Sequence, residues 1–293
     1  MKDIMQNVIG LYEKALPEDY SWEQRLAVTK YAGYEFMEIS VDESDKRLSR
    51  MKWTAKEKLA LAKATAKTGV PILTMCLSGN RRYPIGSENR TIRMTGVNLI
   101  KDAVKFSVDI GNRVIQLAGY DESYNEPNEN TRRLFRESLG ECVEFASGYN
   151  VMLAIETMEN DFMDSVGKVI DHVKAINSPW LGVYPDIGNL ASRGYLTEED
   201  FLKGTGHIVA VHVKDSRPNE IRNVPFGEGI VDFVSVFNML RRVDYSGPFV
   251  VEMWANGTND PVEEVRKARQ FITQKMMASS EFIQQGKTKD GND

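Results

Sequence analysis

Residues 151–186 read VMLAIETMENDFMDSVGKVIDHVKAINSPWLGVYPD. One apolar run, VMLAIET, is followed by a longer amphipathic stretch and then by a second apolar run, LGVYPD. Runs that stay apolar, instead of alternating with polar residues, mark parallel strands covered on both faces, and the stretch between them has helical spacing. This is one strand–helix–strand unit.

The same alternation extends in both directions. Upstream lie VIGLY at Val8, FMEIS at Phe36, PILTMCLS at Pro71 and RVIQLAG at Arg113; downstream lie IVAVHVKD at Ile208 and FVVEMW at Phe249. Ser21 with Gln24 and Thr54 with Glu57 have capping-box spacing, and Gly33, Gly69 and Gly111 stand where helices would stop. Eight units recurring at about 35 residues predict an α/β fold, a (β/α)8 TIM barrel, spanning residues 1–278, with a polar C-terminal tail at 279–293. A doubly wound open sheet is the competing arrangement. It usually carries a Gly-rich phosphate turn after its first strand, and none follows VIGLY.

Composition narrows the function. With 37 basic against 42 acidic residues the formal charge is −5, so the chain lacks the positive surface of a phosphate-backbone binder, and no nucleic-acid partner is expected. No apolar run approaches the ~18 residues that cross a bilayer, so no membrane partner is expected either. With only Cys76 and Cys142 and no apolar leader at the start, the expected location is the cytoplasm.

In such a barrel the active site lies at the carboxyl ends of the strands. Four successive runs end in a polar group there: LAIE in Glu156, VYPD in Asp186, VAVH in His212 and FVVE in Glu252. Any one of these could simply cap a helix or pair with a lysine. Three carboxylates facing one cavity would repel one another without a cation, so together they point to a divalent metal, Mn²⁺, Mg²⁺, Co²⁺ or Zn²⁺. The other histidines, His172 within a helical pattern and His207 ahead of its strand, are expected to be structural or solvent-facing. Glu156 and Glu252, on strands separated by two others, suit proton removal on one face of a ketose and proton return on the other, with both glutamates as the catalytic acid/base pair. An aldose–ketose isomerase would use similar parts.

At these residues the sequence resembles the xylose-isomerase-like barrel superfamily and, within it, the bacterial L-ribulose-5-phosphate (L-xylulose-5-phosphate) 3-epimerases. GLYEKALP, MEISVDESDKRLSR, MCLSGNRRYPIGSE, IQLAGYD, YPDIGNL, GHIVAVHVKD, NVPFGEGIVDF and VEMW carry the resemblance over nearly the whole chain before the tail. It implies one divalent metal held by Glu156, Asp186, His212 and Glu252, a small-molecule sugar-phosphate substrate, a role in L-ascorbate or pentose catabolism, and a homodimer. A phosphorylated ketopentose needs an anion site. The loop after strand seven offers Lys214, Arg217, Arg222, Gly227 and Gly229, the loop after strand three offers Ser78, Arg81 and Arg82, and Lys14 follows strand one. Tyr12, Tyr120 and Trp254 stand where they could wall the sugar. In the free-sugar epimerases of this superfamily a histidine follows the strand-six aspartate by three positions, whereas Asn189 stands here, which argues against a free ketohexose. A ketose-phosphate or hydroxypyruvate-type isomerase is the nearest alternative. A related DNA-repair endonuclease would need a histidine-rich zinc cluster that three histidines cannot supply, and a sugar-binding protein would need no glutamate pair.

Overall fold

A computed structural model describes residues 4–255, 257 and 260–289, with side chains described to Ser279. Eight strands form the barrel: β1 Ile9–Tyr12, β2 Phe36–Ser40, β3 Ile72–Leu77, β4 Val114–Ala118, β5 Met152–Glu156, β6 Leu181–Tyr184, β7 Val211–Val213 and β8 Phe249–Val251. Neighbours in the order β6-β5-β4-β3-β2-β1-β8-β7 pair in parallel. The barrel is completed between β6 and β7 by two isolated bridges, Val183 with Ile208 and Asp186 with His212. Pro185 has no N–H to offer a ladder, and β6 ends just before it. Both strands at this seam are therefore shorter than their apolar runs predict.

The helices are α1 Trp22–Tyr31, α2 Asp45–Leu48, α3 Ala55–Thr68, α4 Arg90–Ile110, α5 Glu129–Ser147, α6 Val166–Ile176, α7 Ile187–Arg193, α8 Glu198–Lys203, α9 Phe233–Arg242 and α10 Pro261–Lys289. Ser21 and Thr54 form reciprocal capping boxes with Gln24 and Glu57, and Gly69 closes α3 at φ +75°, a left-handed conformation that glycine adopts without strain. The stretch from 279 that polar composition marks as a tail continues α10 as far as Lys289; glutamate and glutamine are good helix formers, and polarity alone does not end a helix.

Alternation along the strands sorts their side chains into two apolar layers. Leu11, Met37, Ile39, Met75, Leu117 and Leu153 face the helices in the large outer core. Tyr12, Phe36, Cys76, Ala154, Tyr184 and Val250 fill the barrel interior. The polar residues of that inner layer, at the carboxyl ends of the strands, make the site.

Candidate active site

Glu156 ends β5, Glu252 follows β8, His212 lies within β7, and Asp186 caps α7 by accepting the Asn189 N–H at 2.9 Å. Each of the four offers one ligand atom, and these atoms all lie within 4.8 Å of one another. All four side chains are buried. Helix capping and clustering, offered as alternatives for Asp186, are both realised: one oxygen caps while the other faces the group.

His212 is central. Its Nδ1 lies 2.7 Å from Glu156 Oε1, 3.9 Å from Asp186 Oδ2 and 4.0 Å from Glu252 Oε2. Lys214, only 5% exposed, reaches Asp186 Oδ2 at 2.7 Å and Glu252 Oε2 at 3.0 Å. Burial raises the pKa of Glu156 and of Asp186. Burial would also raise Glu252, but Lys214 and then His212 outweigh it and hold its carboxyl at about 2. Burial lowers His212, yet the facing carboxyl groups of Glu38, Glu252 and Glu156 overcome it and lift the imidazole well above its ordinary value.

The donor set fits a divalent cation. Asp186 Oδ2 and Glu252 Oε2 are buried and share a single ammonium, that of Lys214, so two carboxylates are left with one close cation between them. Three carboxylates and one imidazole converging on one point are the hard oxygen and borderline nitrogen donors that such ions take.

Two polar residues inside the strands join this group and are absent from the reading of strand ends. Gln116 on β4 donates from Nε2 to Glu156 Oε2. Glu38, in the middle of β2, lies 2.7 Å from His212 Nε2. The signal for both is a polar residue inside an otherwise apolar buried run, where an unpaired group would be costly.

The cavity beside the four side chains is lined by Lys14, Ser78, Arg81, Asn189, Lys214 and Arg222, with Tyr12 and Trp254 among its walls. Lys14 pairs with Asp42 at 2.5 Å and Arg81 with Glu43 at 2.9 Å. The exposed Arg222 lies over the Trp254 ring, 5.7 Å from its centroid, and has no carboxylate partner among the described residues. Tyr120 stands outside this lining; its hydroxyl donates to Glu159 at 2.8 Å and its ring lies beneath Arg81. Arg82 pairs with Asp45, and Arg217 with Glu220 and Glu228, away from the cavity. The amides of Gly227 and Gly229, offered as anion donors, are already engaged: both donate to Asp215 Oδ2, at 2.9 and 3.0 Å. A Cβ at Gly229 would fall 2.0 Å from Asp215 Oδ1, so only glycine lets the loop close on this carboxylate. His172 is packed against Phe135 and Phe162, and His207 is exposed.

The sequence model of the xylose isomerase-like TIM barrel family matches residues 26–275. The chain belongs to that family. It is 47% identical over 268 residues to the L-ribulose-5-phosphate 3-epimerase UlaE of Escherichia coli O157:H7 strain EC4115, covering 92% of this chain and 94% of the relative. Among solved structures, an L-ribulose 3-epimerase superposes with a TM-score of 0.78 at 16% identity, covering 95% of this chain and 97% of that one. The 3-keto-D-glucoside 4-epimerase YcjR from E. coli superposes at 0.75 with 17% identity, covering 92% and 100%. At such identities the likeness is one of fold. Among the described residues no helix is long and apolar enough to cross a membrane.

Proposed function

We propose that this chain is a metal-dependent 3-epimerase that interconverts L-xylulose 5-phosphate and L-ribulose 5-phosphate. The observation that carries the reading is the convergence of Glu156 and Glu252, from strands separated by two others, on the ligand atoms of Asp186 and His212. Its support in sequence is the 47% identity to an L-ribulose-5-phosphate 3-epimerase along nearly the full length of both chains.

Glu156, Asp186, His212 and Glu252 would hold the ion. When bound, a divalent cation supplies Lewis-acid polarisation of a ketose carbonyl. The glutamates carry the proton chemistry: one carboxylate takes the C3 proton, leaving the electron pair as an enediolate across C2 and C3, and the other delivers a proton to C3 from the opposite face. Their roles exchange in the reverse direction. The phosphate is assigned to the cation-lined side of the cavity. Arg222 is its first contact there because it is not committed to a carboxylate, with Lys14, Ser78 and Arg81 behind it. A sugar phosphate carries its charge poorly across a bilayer, which supports a cytoplasmic location.

The test is NMR of the metal-loaded protein with L-xylulose 5-phosphate in D2O. Deuterium at C3 with formation of L-ribulose 5-phosphate is the expected outcome, and the chelated protein should exchange nothing until a divalent ion is returned. Label at C1 with an aldose product would replace epimerisation by isomerisation; full exchange without metal would remove the ion from the reaction.

A further inference from the structure

Beneath the four side chains, on the floor of the site, the barrel buries one more acid. Glu38 is fully buried in mid-strand, and the β2–β3 register shifts between Met37 and Glu38 before resuming with Glu38 opposite Thr74. Irregularities of this kind re-aim side chains beside functional sites. Three groups from three other strands meet its carboxyl: Thr74 Oγ1 donates to Oε2 at 2.7 Å, Tyr184 Oη donates to Oε2 at 2.8 Å, and His212 Nε2 lies 2.7 Å from Oε1. Thr74, Tyr184 and His212 are fully buried as well. The Tyr184 ring also packs edge-on to the imidazole, with centroids 4.6 Å apart.

We propose that Glu38 is a positioning residue that fixes the tautomer and tilt of His212 for metal binding. Oε2 is held by two hydroxyl donors, so Oε1 is set as an acceptor below the imidazole. An acceptor there selects the ring form that carries hydrogen on Nε2, and this leaves the Nδ1 lone pair aimed at the point where Glu156, Asp186 and Glu252 converge. A carboxylate on the far nitrogen also makes the near one a better donor to a metal. The inference rests on the reading that the four side chains hold a divalent ion. It adds a fifth residue, which touches neither ion nor substrate, and gives Tyr184 and Thr74 the task of holding that residue in place.

Two measurements test it. Mn²⁺ titrated into the metal-free protein and followed by EPR should bind wild type at one site, with affinity reduced about 10–100-fold in Glu38→Gln. Glutamine keeps the shape but replaces one acceptor by a donor, so it cannot accept at both ends. Tyr184→Phe should shift affinity in the same direction by less. Unchanged affinity in a folded Glu38→Gln variant overturns the proposal, whereas absence of binding by wild type overturns the metal reading beneath it. The second measurement needs no variant to fold. With three histidines in the chain, ¹⁵N–¹H spectra of Zn²⁺-loaded wild type can be resolved ring by ring. Hydrogen on His212 Nε2 is expected, and hydrogen on Nδ1 refutes the assignment.

Discussion

Around Glu13 one carboxylate meets three guanidinium groups, whereas around His212 four carboxyl groups meet one imidazole and one ammonium. Glu13, fully buried just after β1, accepts Arg50 through both oxygens at 2.6 and 2.7 Å, with Arg47 at 2.9 Å, Arg25 at 3.6 Å and the Ser40 N–H at 2.8 Å. Burial opposes its charge, but Arg50, Arg47 and Arg25 outweigh burial and bring its pKa to about 2. That cluster is complete with the protein's own atoms. The group around His212 has an excess of negative charge, with two buried carboxylate oxygens sharing the one ammonium of Lys214. Burial is common to both regions, so burial cannot separate a structural ion cluster from a site that wants a ligand. The sign of the excess charge does: the spare guanidinium groups at Glu13 are met by the backbone carbonyls of Tyr20, Glu18 and Ser40, whereas the spare carboxyl groups at His212 call for a cation.

The largest expected effect falls on the carboxylate-rich region around His212. Glu156→Gln or Glu252→Gln should lower turnover by about 10²–10⁴-fold, the usual worth of a positioned acid or base, while the metal-free protein melts level with or above wild type in Glu156→Gln, whose charge burial disfavours, and below it in Glu252→Gln, whose charge Lys214 and His212 favour. Steady-state kinetics and calorimetry on the same samples check both halves. Near-normal turnover in either variant would remove that glutamate from the proton pair.

The arginine-rich region around Glu13 should respond in the opposite way. Glu13→Gln leaves three arginines facing a neutral amide and should cost about 3–5 kcal/mol of stability, with kcat of the folded fraction little changed. The pH dependence has a definite sign. A carboxyl depressed from 4.5 to about 2 contributes stability that is fully present above pH 4.5 and is lost as pH falls toward 2, by roughly 3 kcal/mol. Urea unfolding across this window should therefore be steeper in pH for wild type than for Glu13→Gln. Parallel curves would mean that the arginine cluster does not stabilise the fold through this charge.

The ends of the apolar runs were legible in the sequence because polarity there interrupts a long pattern at a place where the barrel puts chemistry. Glu156, Asp186, His212 and Glu252 were found in this way, and the structure brings them together. Glu38 was not, since FMEIS continues past it and its partners Thr74, Tyr184 and His212 lie far away in the chain. Only the closed barrel makes them neighbours. The loop after β7 misled for a related reason: glycines read as anion donors serve Asp215, a contact across the loop that spacing does not reveal. The seam between β6 and β7 was overdrawn because apolar composition persists where Pro185 ends the ladder.

The rim of the cavity lies between the two regions, since Lys14 and Arg81 are paired with carboxylates while Arg222 is not, and all three are within reach of water. Its expected effects are the smallest. Arg222→Ala should raise KM for the phosphorylated ketose by about tenfold with kcat nearly unchanged, as expected for one charge-assisted contact formed equally in ground and transition states. Tyr120→Phe should do less, under about threefold in either constant. Its hydroxyl serves Glu159, which together with Glu43 surrounds Arg81; this half-buried network is redundant, and losing one neutral member leaves Arg81 held by Glu43 at 2.9 Å. A KM effect of Tyr120→Phe equal to that of Arg222→Ala would show that the rim acts as one rigid unit, so that tilting Arg81 by losing a neutral neighbour matters as much to the phosphate as removing a cation.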